Sequence, residues 1–123
     1  MLKNEEMTYI LYGIPNCDTV KKAKTWLIEN GIDFTFHNFK KDGLEAPKVE
    51  AWLSQELPEV LLNTRGTTFR KLEEHQKENF KDKAMAFEIM MGNPSVIKRP
   101  VLEKDEKVIA VGFKPEMYSV LFI

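Results

Sequence analysis

A strand, a helix and a second strand, joined by very short connections, open this chain, and that order leaves few folds available. The run Thr8-Tyr9-Ile10-Leu11-Tyr12 is β-branched and aromatic, and Gly13 and Pro15 close it, which predicts a strand. From Asp18 to Asn30 the pattern turns helical. Val20, Ala23, Leu27 and Ile28 mark one apolar face, Asp18 or Thr19 caps the start, and Gly31 supplies the stop. Phe34-Thr35-Phe36-His37-Asn38-Phe39 then predicts a second strand. A βαβ unit of this kind has parallel strands and a right-handed crossover.

The middle of the chain is helical. Pro47 suits a first turn, and Val49, Trp52, Leu53 and Leu57 share a face before Pro58 breaks the pattern. The short apolar run Val60-Leu61-Leu62 feeds a polar segment, Asn63-Thr64-Arg65-Gly66-Thr67-Thr68. A further helix spans about Lys83 to Met91 and ends at Gly92, with Ala84, Phe87 and Met91 expected on the core side. The period then returns to two. Arg99-Pro100-Val101-Leu102-Glu103 and Lys107 to Phe113 flank the tight connection Lys104-Asp105-Glu106, which predicts an antiparallel hairpin. Pro115 opens a last helix carrying Met117, Val120 and Leu121. The sum is an α/β chain ordered βαβ, helical insertion, ββα, with a four-stranded mixed sheet. Neither repeats nor linkers divide it. The reading is one domain over 8–123 with an insertion at about 44–95, preceded by an extension over 1–7.

The chemistry gathers at Cys17, the one cysteine, which falls where the first strand meets the first helix. Backbone N–H groups at a helix start have no intrahelical partner, and the helix dipole favours an anion there. Cysteines so placed have pKa values lowered to roughly 3.5–7.5, and the thiolate is the reactive form. Lone cysteines are commonly small buried hydrophobes, but Pro15, Asn16, Asp18 and Thr19 make a polar turn unlike a core. Two arginines stand out by context. Arg65 lies in the Gly/Thr-rich loop and Arg99 directly precedes Pro100 at the mouth of a strand. Guanidinium groups bind oxyanions and carboxylates bidentately and stay charged. If they converge on Cys17, the site pairs a thiolate with two fixed cations. His37 and His75 lack metal-ligand spacing and read as structural, Lys21, Lys22 and Lys24 as a solvated helix face, and Trp26 and Trp52 as core or near-core residues.

Composition narrows the setting. Eighteen basic residues against nineteen acidic give a formal charge of −1, so nothing argues for direct contact with nucleic acid, and any attraction for anions must be local. One cysteine can form neither an internal disulfide nor a cysteine-rich metal site, which fits a reducing, cytoplasmic location. Residues 1–7 are too polar for a signal peptide, and no apolar stretch approaches membrane-spanning length. The expectation is a soluble protein with no membrane partner and no bound metal or cofactor.

Three strings carry a resemblance: Leu11-Tyr12-Gly13-Ile14-Pro15-Asn16-Cys17-Asp18-Thr19-Val20-Lys21-Lys22-Ala23, Leu61-Leu62-Asn63-Thr64-Arg65-Gly66-Thr67-Thr68-Phe69-Arg70-Lys71-Leu72, and Ile97-Lys98-Arg99-Pro100-Val101-Leu102. In this order they resemble the arsenate-reductase-like branch of the thioredoxin fold. That group includes glutaredoxin-coupled arsenate reductases and Spx-type regulators of RNA polymerase, and the likeness is nearest to the YffB-type subgroup. The resemblance implies a thioredoxin-like core from about Thr8 onward, with Cys17 as nucleophile and Arg65 and Arg99 as oxyanion-binding residues. It further implies a cis Arg99–Pro100 bond facing the cysteine, and a substrate- or glutathione-binding surface drawn from Asn16, Asp18, Thr19, Arg65, Arg99, Pro100 and Lys114.

The activity so implied is thiol oxidoreduction dependent on glutathione or glutaredoxin, with glutathione as cosubstrate and a small oxyanion or a mixed disulfide as substrate. The alternatives are arsenate reduction proper and non-catalytic, RNA polymerase-binding regulation of transcription. Three departures bear on the choice. The arsenate reductases carry a third arginine where this chain has Lys114, and a histidine before the cysteine where it has Gly13. The regulators often carry a second cysteine where Val20 stands, so a disulfide switch of that kind is impossible here.

Overall fold

The computed structural model describes residues 8–122. In chain order the elements are β1 (Tyr9–Gly13), α1 (Asp18–Glu29), β2 (Thr35–Asn38), α2 (Phe39–Asp42), α3 (Ala46–Gln55), α4 (Pro58–Leu61), α5 (Thr67–Arg70), α6 (Glu74–Glu78) and α7 (Lys83–Gly92). A 3-10 turn (Pro94–Val96), β3 (Val101–Lys104), β4 (Lys107–Val111) and α8 (Pro115–Leu121) complete the chain. It divides into two compact units, one formed by the segments up to Asp42 and from Arg99 onward, the other by Gly43–Lys98. The expected 1–7 extension lies outside the described residues.

The first unit holds the sheet, a thioredoxin-like α/β arrangement with strand order β2-β1-β3-β4. β1 runs parallel to β2, with Tyr12 opposite His37, and antiparallel to β3, with Tyr12 opposite Val101. β3 and β4 form the expected hairpin, with a register shift between Leu102 and Glu103. Its two turn residues, Asp105 and Glu106, have φ of 50° and 70°. Positive φ at both central positions is the twist that matches a two-residue hairpin. Alternation puts Leu11, Leu102 and Ala110 on one sheet face, where they join Ala23 and Leu27 of α1 and Tyr118 of α8 in a core cluster. Each fully buried large apolar side chain there contributes roughly 1.5–3 kcal/mol. Glu103 is fully buried, and the Tyr12 hydroxyl donates to its Oε1 at 3.2 Å.

α1 stops as its sequence demands. Gly31 takes φ of 70°, its N–H donates to the Ile28 carbonyl at 3.1 Å, and Ile32 N–H donates to the Leu27 carbonyl at 2.9 Å. These are the paired bonds of a Schellman stop. Val20, Ala23 and Leu27 are buried as expected, but Ile28 is 66% exposed, because one further residue rotates it about 100° away from Leu27. The last helix departs in the same way. Tyr118 is its buried residue, Met117 is half-buried, and Val120 and Leu121 face solvent. The second strand is shorter than its apolar run, since Phe39 begins α2, where the Asn38 Oδ1 accepts from Lys40 and Lys41 N–H.

In the second unit, α3 buries Val49, Trp52 and Leu53, while Leu57 falls beyond the helix and is 58% exposed. α7 spans the expected residues and packs with α3, but its buried side chains are Ala86, Ile89 and Met90 rather than Ala84, Phe87 and Met91. Apolar residues surround that helix on nearly every side, so spacing alone does not set its phase. A bridge between Leu62 and Ile97, with Asn63 N–H donating to the Val96 carbonyl at 2.8 Å, closes this unit on itself.

Candidate active site

Cys17 occupies the N-cap of α1, with φ of −117° and ψ of 121°. Asp18 and Thr19, the expected caps, are instead the first helical residues. The backbone turns into the helix at the sulfur-bearing residue itself, and the Cys17 carbonyl accepts the first helical bond from Lys21 N–H at 3.0 Å. The sulfur makes no full capping hydrogen bond, yet the N–H groups of Thr19 and Val20 face it as donors to its anionic form. Cys17 is half-buried and free.

Burial alone pushes the thiol pKa up. It is outweighed by the Val20 N–H, by a hydrogen bond and the positive charge from the Arg99 guanidinium, and by the Thr19 N–H, so the pKa is lowered. The fold brings Arg99 to this place because β3 lies directly beside β1 and begins two residues after it. The Arg99–Pro100 bond is cis, as the resemblance implies, and the Gly112 N–H donates to the buried Pro100 carbonyl at 2.8 Å.

The remaining expected residues are placed as follows. Asn16 and Asp18 are exposed on the turn that carries the cysteine, and Thr19 is half-buried. Lys114 is exposed at the N-cap of α8. Arg65 is exposed in the second unit, in a loop where its N–H donates to the Asn63 Oδ1 at 3.2 Å. The structure thus joins Cys17 to Arg99 within one unit, while Arg65 belongs to the other. Val20 is the functional residue that side-chain chemistry does not flag, since it acts through its backbone N–H. Its position three residues beyond the N-cap was the available signal.

Gly13 is held by a close approach. A Cβ at that position would lie 2.8 Å from the Val20 Cγ2 and 3.3 Å from its Cγ1, so no side chain fits there unless Val20 moves. A side chain as large as histidine has no room at this point. Among the described residues, no cluster of three or more His, Cys, Asp or Glu side chains could hold a metal, and no helix is long and apolar enough to cross a membrane.

Comparison with known proteins agrees with this arrangement. The solution structure of an arsenate reductase (ArsC) related protein from Brucella melitensis is 51% identical, covers 94% of each chain and superposes with a TM-score of 0.76. The structure of a protein named YFFB is 44% identical over 94% of this chain and 100% of its own, with a TM-score of 0.84. The global transcriptional regulator Spx of Lactiplantibacillus plantarum is 31% identical over 87% of this chain and 80% of its own. The sequence profile of the ArsC family matches residues 12–121. With its acidic cysteine at the head of α1, its adjoining arginine and this match across nearly the whole sequence, the chain belongs to the ArsC family.

Proposed function

We propose that this chain is a thiol-dependent oxidoreductase in which Cys17 is the nucleophile and glutathione or glutaredoxin is the external reductant. The observation that carries the reading is the Cys17–Arg99 pair at the start of α1, where two backbone N–H groups and a guanidinium favour the thiolate. Only the thiolate attacks sulfur efficiently. With a glutathione mixed disulfide as substrate, the Cys17 sulfur attacks the glutathione sulfur, and the substrate thiolate leaves and takes a proton. A second glutathione thiolate then attacks the Cys17–glutathione disulfide, releasing oxidised glutathione and restoring the Cys17 thiolate. With no second cysteine in the chain, resolution must come from outside. Arg99 holds the thiolate, and the surface of Asn16, Asp18, Thr19, Pro100 and Lys114 receives the substrate.

The test is reduction of a small glutathione mixed disulfide by glutathione, with oxidised glutathione read through its reductase and NADPH. Turnover lost in Cys17→Ser supports the reading, and equal rates in the two proteins refute it. Arsenate in place of the disulfide tests the oxyanion alternative. A second reading, regulation of transcription through RNA polymerase, is favoured by the 31% identity to Spx. Co-purification with RNA polymerase that persists in Cys17→Ser, without disulfide turnover in the wild type, would favour that reading.

A further inference from the structure

One turn beyond Cys17, the solvent side of α1 forms the wall of an open groove of about 310 Å³. Lys21, Lys22, Thr25, Trp26 and Glu29 line it from α1, and Phe113 and Pro115 face them from the start of α8. Eight residues of helix separate Lys21 from Glu29, which is about 12 Å of length. That is the span of three to four residues of extended chain. The floor is aromatic and fixed. Trp26 and Phe113 each pack edge-on against the buried Tyr118, at 5.5 and 4.7 Å between ring centroids. The charges are uneven. Lys21 and Lys22 stand at the end nearest Cys17, the exposed Lys114 lies between the two α8-side lining residues, and one carboxylate, Glu29, closes the far end. In a chain of net charge −1, two lysines lining the groove within five residues of Cys17 along α1 make that end of the groove locally positive.

We propose that this groove docks an extended, acidic, apolar segment of a protein substrate next to the substrate's reactive sulfur. The inference rests on the oxidoreductase reading and narrows it: the substrate is a protein mixed disulfide whose cysteine is flanked by acidic residues and a large apolar side chain. The apolar side chain lies on Trp26 and Phe113, the acidic residues meet Lys21 and Lys22, and Glu29 rejects a segment that is acidic throughout. The groove is wide open, which suits a chain laid along a surface better than a small molecule enclosed on all sides.

The experiment uses the full chain and two synthetic peptides, each joined to glutathione through its cysteine. One carries Glu-Glu and Phe on both sides of that cysteine, the other Lys-Lys and Phe. In the wild type at low salt the acidic peptide should react with a kcat/KM about tenfold higher, a preference that shrinks as salt screens the lysines. In Lys21→Glu/Lys22→Glu the preference should vanish or invert through KM. Each rate is normalised to the rate at which neutral iodoacetamide alkylates Cys17 in the same protein, which removes any direct effect on the thiol. Equal kcat/KM for the two peptides in the wild type overturns the proposal, as does an unchanged preference in the double variant. A KM for free glutathione that rises as much as that for the acidic peptide also overturns it, since the groove would then hold the reductant. Failure of the underlying reading looks different, because neither peptide nor a small mixed disulfide would then turn over.

Discussion

Replacing Gly13 with alanine adds one methyl group at the end of β1 and tests whether strand and cysteine-bearing helix are as tightly fitted as they look. The new Cβ would sit 2.8 Å from the Val20 Cγ2, well inside ordinary van der Waals contact. Val20 is fully buried, and a β-branched side chain in a helix has one strongly preferred rotamer, so it cannot swing aside. Relief must come from movement of the α1 backbone. Overpacking of this kind costs about 1–3 kcal/mol. The backbone at Gly13 does not need glycine's left-handed region, so alanine recovers about 0.4–1 kcal/mol by restricting the unfolded chain. The net expectation is a loss of up to about 2.6 kcal/mol, centred on about 1.3 kcal/mol, in urea unfolding, with an unchanged m-value. Gly13→Ala/Val20→Ala should lose less than the two single variants added together, because the second change removes the obstructing methyls. Val20 also lends its N–H to the Cys17 sulfur, so the single variant should raise the midpoint of Cys17 alkylation against pH. Stability equal to or above wild type, with an unmoved alkylation midpoint, would refute the reasoning.

The other expectations concern separate parts of the fold. Alkylation of wild-type Cys17 by iodoacetamide should titrate with a midpoint below the ordinary thiol value of about 8.5. Arg99→Met should move it upward and Arg99→Lys less so, and a midpoint indifferent to both would dismiss the pair. Because the folded pKa lies below the unfolded one, the Cys17 thiolate adds stability in full above the unfolded value of about 8.5 and loses it as pH falls through the folded value. Stability of the wild type relative to Cys17→Ser should therefore rise with pH across that window. The Tyr118 hydroxyl is buried without a hydrogen-bond partner among the described residues, so Tyr118→Phe should raise stability by about 1 kcal/mol in a urea melt; a loss would show that the hydroxyl is satisfied. Glu106→Gly should stabilise the hairpin by about 0.5–1 kcal/mol, since a left-handed glutamate costs about 1–2 kcal/mol and glycine returns part of that in the unfolded chain; an unchanged thermal midpoint would count against it.

The parts of this molecule that can be read from its amino acids are those in which local rules and long-range packing agree. β1, α1 and the β3–β4 hairpin have clean periods and clear punctuation at Gly13, Gly31 and the Lys104–Glu106 turn. The phase of α7 could not be read because apolar residues ring it, and only α3 packing against it selects Ala86, Ile89 and Met90. The short helices α4, α5 and α6 are at most five residues long, too brief to show a period. Leu57, Val120 and Leu121 were misplaced because hydrophobicity marks a residue that could be buried, whereas the rotation of its own helix decides whether it is. At the site, Cys17 and Arg99 were both visible from their positions, but their meeting was legible only through the family resemblance, and the particular backbone donors were not. A backbone donor carries no sequence signature beyond its offset, and Arg99 reaches Cys17 only through the pairing of two strands far apart in the chain.

That pairing sets the order in which the thiol can acquire its character during synthesis. β1 and α1 emerge early, whereas β3, with Arg99 just before it, follows only after the whole of residues 43–98. Bringing β3 beside β1 closes a long loop, a contact that is entropically costly and forms late. Until then the nascent chain carries a thiol with only the frayed start of one helix to favour its ionisation. The share of the thiol's acidity that comes from Arg99 is thus absent while the polypeptide is incomplete and becomes a property of the finished fold.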